Sequence, residues 1–224
     1  MAEEHHISVA RTARYYTLGT LSEQTTHVWF VLHGYGQLAR YFIRRFDVVA
    51  NPHTLIVAPE ALSRFYTDAE YGKIGASWLT REARDQEVAD FVTYLDSVWQ
   101  QVLGHRDPAT LHITLMGFSQ GASTACRWLE QGRSVRADRL MLWAGYFLNG
   151  LHDVLSPETV ANVTVEYVYG REDEYIGLLP DTDTYLAKLR ADIPNLWVVP
   201  FEGKHVVDRQ VLAQLTATPS PIPE

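Results

Sequence analysis

Short apolar runs alternate with helical patterns along most of the chain. Between the runs, apolar residues recur at three-to-four spacing, most clearly in 85–103, which predicts amphipathic helices. This alternation is typical of βαβ units, so the sequence predicts an α/β protein with a mostly parallel sheet and helices on both faces. The runs that predict its roughly six main strands lie at 27–33, 54–59, 111–117, 139–145, 163–170 and 195–201.

Three segments do not follow this rhythm. Residues 7–19 predict an antiparallel edge hairpin, and the Pro-rich residues 218–224 predict a frayed tail. The segment 60–82 is long, aromatic and weakly periodic. This pattern fits a lid or substrate wall and an irregular surface excursion equally well. Its exposed aromatic residues suit a homodimer contact equally well. Because no repeat or linker interrupts the chain, we expect one α/β domain over residues 1–224.

Charge and composition exclude several function classes. The chain has 224 residues and a formal net charge of −8, which argues against a general affinity for nucleic acid or anionic membranes. No apolar run approaches the length of a membrane span, and the start lacks a signal-peptide layout, so we expect a cytoplasmic protein without stable membrane insertion. The single cysteine, Cys126, excludes an internal disulfide and a cysteine-rich metal site, and a buried apolar role is expected for it.

A serine framed by glycines lies at a predicted strand-to-helix junction. In the stretch GFSQG, Ser119 lies between Gly117 and Gly121, after an apolar run and before a helical pattern. Such a sharp turn pushes its central side chain out of the sheet, and small neighbours keep the strand and the helix from colliding. Ser119 is therefore the candidate nucleophile.

A serine nucleophile needs a base, and histidine suits because its pKa lies near neutrality. Only His152 and His205 follow Ser119 in the chain. His205 comes just after a predicted strand, which would place it at the same carboxyl edge of the sheet as Ser119. His152 leaves too little chain for an acid in the order serine, acid, histidine. The sequence therefore favours His205 as the base.

The acid should also follow a strand, between the nucleophile and the base. Glu172, Asp173 and Glu174 stand in a row just beyond the run 163–170. One carboxylate would fix the tautomer of the imidazole, and the other two would form a solvated acidic turn. Location alone leaves all three residues open.

Acyl transfer also needs backbone N–H groups aimed at the developing negative charge on the carbonyl oxygen. One donor should be the Gln120 N–H, directly after the nucleophile at the positive end of a helix. The second should come from the glycine-rich loop after the first run, where the Tyr35 N–H is the best candidate. His33, in the same loop, is expected to be a scaffold residue and not a base.

Together these stretches resemble the phospholipase/carboxylesterase family of α/β-hydrolases, which includes acyl-protein thioesterases. The resemblance covers most of the chain and implies an α/β-hydrolase fold without a metal or organic cofactor. It implies Ser119 as nucleophile, Asp173 as acid and His205 as base. It also implies that the N–H groups of Tyr35 and Gln120 line the oxyanion hole. The stretches that carry it, in the family's order, are LHGYGQ, VAPEA, GFSQGA, YGREDEYI and GKH.

Differences from the thioesterase pattern lie in the first loop, after the acidic turn and in segment 60–82, and they favour small-ester substrates. The sequence therefore predicts a serine carboxylesterase that hydrolyses small-molecule esters of small to medium acyl chain through an acyl-enzyme. An acyl-protein thioesterase or lysophospholipase is the alternative within enzymes, and a non-catalytic ligand-binding module on a hydrolase scaffold is the alternative outside them. The aromatic residues expected to contact substrate are Tyr35, Phe65, Tyr66, Trp78 and Tyr146.

Overall fold

The computed structural model describes residues 1–217, and the tail predicted at 218–224 lies outside the described residues. Its helices are α1 (Ala39–Phe42), α2 (Arg84–Leu103), α3 (Gln120–Gln131), α4 (Thr182–Asp192) and α5 (Arg209–Ala217). Short 3₁₀ turns occupy Ile43–Val48, Pro108–Thr110 and Ile176–Leu178. The strands are β1 (Tyr15–Leu18), β2 (His27–Leu32), β3 (Thr54–Pro59), β4 (Ser63–Tyr66), β5 (Ile74–Ser77), β6 (His112–Phe118), β7 (Arg139–Trp143), β8 (Thr164–Gly170) and β9 (Leu196–Phe201).

One sheet organises the molecule, with strand order β1-β3-β2-β6-β7-β8-β9. Every neighbouring pair from β3 to β9 is parallel, and β1 joins the edge by antiparallel pairing with β3. In the centre, β2 and β6 pair from His27 opposite His112 to Leu32 opposite Gly117. The sheet confirms the predicted α/β class and the mostly parallel arrangement.

Helices cover both faces of the sheet and bury its alternating side chains. Helices α2, α3 and α4 pack on one face, and α1 and α5 pack on the other. Burial of apolar area at about 25 cal/mol per Å² drives both contacts. Within residues 1–217, no helix is long and apolar enough to cross a membrane. The predicted helix 85–103 is α2, whose buried residues at three-to-four spacing are Val88, Phe91, Val92, Leu95, Val98, Trp99 and Leu103.

The N-terminal prediction is correct for the edge strand but wrong for the hairpin. Only β1 pairs with the sheet, whereas Ile7 and Val9, the apolar residues of the expected first strand, are 88% and 77% exposed. A strand with so little apolar surface to bury does not offset the entropy lost on ordering it.

Segment 60–82 contains a β-hairpin and is not irregular throughout. Strands β4 and β5 pair antiparallel, with Ser63 opposite Ser77 and Tyr66 opposite Ile74. A bridge between Gln37 and Ala76 fastens the hairpin to the loop after β2. The hairpin therefore lies against the loop from which the sequence predicts the second oxyanion donor.

Candidate active site

Ser119 lies at the sharp turn between β6 and α3. Its φ of 54° and ψ of −117° fall in a region that L-residues rarely adopt, at a cost on the order of 1–3 kcal/mol. Its N–H donates to the Trp143 carbonyl at 2.8 Å, and its own carbonyl accepts from the Ala122 N–H at 3.0 Å. These two hydrogen bonds hold the strained backbone in the geometry that the sequence predicts for a nucleophile.

The glycines around Ser119 are required because backbone segments pack directly on one another. A Cβ on Gly117 would lie 2.1 Å from the Gly121 carbonyl oxygen, and a Cβ on Gly121 would lie 2.2 Å from the Leu32 carbonyl oxygen. Gly34, in the loop after β2, is also close: a Cβ there would lie 3.2 Å from the Ser119 Cβ. The glycines therefore allow the first loop to approach the nucleophile.

Asp173 and His205 form a hydrogen bond beyond the carboxyl ends of β8 and β9. His205 Nδ1 lies 2.7 Å from Asp173 Oδ2, and the Tyr175 N–H donates to Asp173 Oδ1 at 2.9 Å. Because a carboxylate only accepts, His205 Nδ1 carries the hydrogen and Nε2 keeps a lone pair. The Asp173 side chain is 1% exposed, whereas Glu172 and Glu174 are exposed. Burial and contact with histidine thus distinguish Asp173 from its acidic neighbours.

Backbone contacts join the loops that carry Asp173 and His205. The Glu172 N–H donates to the Gly203 carbonyl at 2.9 Å. A Cβ on Gly170 would lie 2.2 Å from the same carbonyl oxygen. This close packing fixes the two loops relative to each other. The backbone therefore holds the Asp173 carboxylate and the His205 imidazole within hydrogen-bond distance.

The His205 ring lies between two aromatic rings next to the nucleophile turn. Its centroid is 4.8 Å from that of Phe118, the residue before Ser119, and 4.7 Å from that of Tyr175. No motif in the sequence points to Tyr175, although its N–H donates to Asp173 and its ring contacts His205. Its place two residues after Asp173 is the one sequence signal, and a surface tyrosine in the same turn would look identical.

Two backbone N–H groups near Ser119 remain available as donors. In the first loop, the Gly34 N–H donates to Gln37 Oε1 at 2.9 Å, but the Tyr35 N–H has no acceptor within residues 1–217. The Gln120 N–H begins α3, and the first N–H groups of a helix have no partner inside it. Assignment of these two groups to an oxyanion hole stays a prediction.

The stretch at the end of β5 contacts both donor-bearing segments. The Gln120 side chain accepts from the Trp78 N–H at 2.9 Å and donates to the Leu79 carbonyl at 2.8 Å. On the other side, the Ala76 N–H donates to the Gln37 carbonyl at 3.1 Å. The hairpin therefore connects the nucleophile turn to the first loop.

His33 is a scaffold residue, as the sequence predicts. Its Nε2 accepts from the Ala61 N–H at 3.0 Å, so Nδ1 carries the hydrogen and donates to the Gly34 carbonyl at 2.8 Å. Burial lowers the pKa of His33 to about 4. Trp78, predicted as a substrate contact, is only 3% exposed, and its indole N–H donates to the His33 carbonyl at 2.8 Å. It supports the loop from beneath and is not an open wall.

The other predicted wall residues are not all on one surface. Tyr35 packs on Phe65 with ring centroids 5.0 Å apart, and Tyr146 lies 6.2 Å from Tyr175, the neighbour of the candidate base. Tyr66 follows Phe65 in β4, so the two side chains point to opposite faces of the hairpin. The structure thus places Tyr35 and Phe65 at the first loop and Tyr146 beside Tyr175. Tyr66 lies on the opposite face of the hairpin from Phe65.

Other reactive groups do not form a second centre of the same kind. In the part of the chain that the structure describes, no three His, Cys, Asp or Glu side chains form a group that could hold a metal ion. Cys126 is fully buried in α3, as expected from the sequence, and burial raises the pKa of its thiol to about 12. A thiol of that kind is not a ready nucleophile.

No protein-family model matches the chain, and no curated protein matches its sequence. Solved structures do match. Esterase PE8 is 23% identical, with 92% of this chain and 97% of that chain covered and a TM-score of 0.63. Acyl-protein thioesterase 2 from Zea mays is 16% identical, with 92% and 99% covered and a TM-score of 0.65. A carboxylesterase from Mesorhizobium loti is 18% identical, with 92% and 95% covered and a TM-score of 0.65.

At these identities the likeness shows the fold alone, and it agrees with the mostly parallel sheet of the chain. The chain has the α/β-hydrolase fold.

Proposed function

We propose that this protein is a serine carboxylesterase that hydrolyses small-molecule carboxylic esters through an acyl-enzyme. The observation that carries the proposal is the 2.7 Å hydrogen bond between His205 Nδ1 and Asp173, beside the strained turn of Ser119. The order of these residues in the chain and the likeness to solved esterases and a thioesterase support the same reaction class.

In this reaction, Ser119 Oγ attacks the ester carbonyl carbon while His205 Nε2 takes its proton. Asp173 holds the imidazole and stabilises its positive charge. The N–H groups of Tyr35 and Gln120 bind the oxyanion, and each is worth about 3 kcal/mol in comparable sites. The alcohol leaves with the proton from the imidazolium, and the acyl group stays on the serine. A water molecule that gives its proton to the imidazole then releases the acid and restores the hydroxyl.

Packing beneath the first loop favours small to medium acyl chains over long ones. A Cβ on Gly75 of β5 would lie 2.4 Å from the Gly36 carbonyl oxygen, so the two backbones are in direct contact. The buried Trp78 ring lies 5.1 Å from the His33 ring and fills the adjoining volume. The hairpin therefore leaves no open space under the loop at this point, which supports a preference for small to medium acyl chains.

A chain-length series of p-nitrophenyl esters, from acetate to palmitate, tests the proposal on the parent protein and on Ser119→Ala. We expect the highest kcat/KM at short acyl chains and loss of activity in the variant. A peak at long chains would favour a thioesterase or lysophospholipase. Equal activity of the parent and the variant, or no cleavage by the parent, would contradict the proposal and favour a ligand-binding module.

A further inference from the structure

Arg127 is a buried cation in α3 that the proposed reaction does not use. It is 7% exposed, and its Nη1 donates to the Ser123 carbonyl at 3.2 Å. Within residues 1–217, no carboxylate forms an ion pair with its guanidinium. Burial lowers the pKa of Arg127, and the charge of Arg84 lowers it further. Asp153 is the nearby anion that raises this pKa, but it forms no ion pair with the guanidinium within residues 1–217. Because buried charges in proteins are normally paired, Arg127 lacks a directly bonded anion.

Arg127 lines a cleft of about 480 Å³ between α2, α3 and the connection from β7 to β8. Asp153 lies in this cleft but contacts His152 Nε2 at 3.2 Å. Two arginines and two aspartates line the cleft, so it carries no excess positive charge, and an anion would have to bind there through directed guanidinium hydrogen bonds. The lining residues are Arg84, Asp85, Val88, Arg127, Gln131 and Asp153.

The cleft lies along α3 from the candidate nucleophile. Ser123 and Arg127 are four residues apart and lie on one face of α3, and Ser119 is the non-helical residue directly before the first turn of this helix. Eight residues correspond to about 12 Å along the axis. The hydrogen bond to the Ser123 carbonyl holds the guanidinium against the preceding turn of α3.

We propose that the cleft between Arg84 and Arg127 is an anion-binding subsite that takes a carboxylate or phosphate group carried on the acyl chain of the substrate. The substrate class is then an ester whose acyl chain ends in an anionic group and spans a length comparable to the axial separation of Ser119 and Arg127, about 12 Å. This substrate assignment rests on the proposed function, whereas the binding of a free anion does not.

The test compares p-nitrophenyl monoesters of dicarboxylic acids of increasing length with the same compounds capped as methyl esters. The measured quantity is the ratio of kcat/KM for the charged compound to that for the capped compound. At the optimal length we expect a ratio of about ten or more in the parent, in line with a charge-assisted hydrogen bond. The ratio should fall towards one in Arg127→Gln and in Arg84→Gln. Arg133→Gln, an exposed arginine just beyond α3, is the matched control and should keep the parent ratio.

Calorimetric titration with inorganic phosphate and with a free dicarboxylate gives a readout that does not depend on catalysis. We expect both anions to bind the parent and Arg133→Gln, and to bind Arg127→Gln and Arg84→Gln at least tenfold more weakly. Because Arg84 is exposed, its variant tests the subsite even if Arg127→Gln does not fold. A ratio near one at every length in the parent overturns the substrate assignment, and equal anion binding by all four proteins overturns the subsite. If the parent cleaves no ester but binds the anions as expected, the proposed function fails and the subsite stands.

Discussion

The side chain of Gln120 offers the sharpest test of how the hairpin positions the candidate active site. It accepts from the Trp78 N–H and donates to the Leu79 carbonyl, so it fastens the nucleophile turn to the end of β5. Gln120→Ala removes these two hydrogen bonds and the side-chain contact with Ser77 Oγ at 3.2 Å, but it keeps the backbone N–H that is predicted to bind the oxyanion. The variant therefore separates the positioning of the donor from the donor itself.

The expected magnitude follows from the groups left without partners. Trp78 is buried, so its backbone N–H would lose the Gln120 acceptor and would not readily reach water. An unsatisfied buried donor of this kind costs about 1–3 kcal/mol. If the activation free energy rises by this amount, kcat decreases by about fivefold to 150-fold. Gln120→Glu keeps an acceptor for Trp78 but replaces the donor to Leu79 with an anion near the oxyanion, so we expect a larger decrease.

The assay is hydrolysis of p-nitrophenyl acetate, measured together with the free energy of unfolding in urea. Gln101→Ala, which removes an exposed glutamine side chain from α2, is the matched control and should behave like the parent. If Gln120→Ala loses stability but keeps kcat within about twofold of the parent, the side chain only stabilises the fold. The positioning argument would then be refuted.

Three further predictions concern the packing, the acid and the buried histidine. Gly121→Ala places a Cβ 2.2 Å from the Leu32 carbonyl oxygen, so urea denaturation should show a loss of about 3 kcal/mol or more; parent-like stability would contradict the packing. Asp173→Asn should lower kcat on the order of a thousandfold because the imidazole loses its tautomer, while the exposed Glu172→Gln stays near the parent; equal losses would mean that the wrong carboxylate is assigned. Because the pKa of His33 is lowered from 6.5 to about 4, the unfolded chain takes up a proton first as the pH falls. The stabilisation from neutral His33, about 3 kcal/mol, should be complete above pH 6.5 and lost as the pH falls towards 4, and His33→Gln should flatten this part of the curve of unfolding free energy against pH.

The sheet could be predicted from the sequence because each of its main strands is encoded locally. A run such as 111–117 is apolar on both faces, as a strand covered by helices on both sides must be. The hairpin of β4 and β5 lacked that signal, since Gly72 and Gly75 interrupt it and its outer residues are exposed. Its place is set by contacts with Gln37 and Gln120, which are distant in the chain.

The acid of the candidate site could not be chosen from the local sequence. Glu172, Asp173 and Glu174 are chemically alike and adjacent, so no pattern in the sequence separates them. The structure separates them because the close approach of Gly170 to Gly203 turns a single side chain inward, to where His205 lies. The resemblance to a known family chose the same residue, but it gave no physical reason for the choice.

Backbone geometry also explains why the nucleophile could be predicted more sharply than the substrate wall. Two glycines beside Ser119 avoid clashes that any larger residue would make, so their presence in the sequence is itself a signal of the turn. An aromatic residue such as Trp78 carries no comparable signal, because a ring that lines a pocket and a ring that supports it from beneath are the same residue in the sequence. Only the position of β5 against the first loop assigns Trp78 to the interior. For the same reason, Arg127 could not be distinguished from an ordinary helix surface residue until its burial was known. The features that decide substrate preference are therefore those that depend on how distant segments pack.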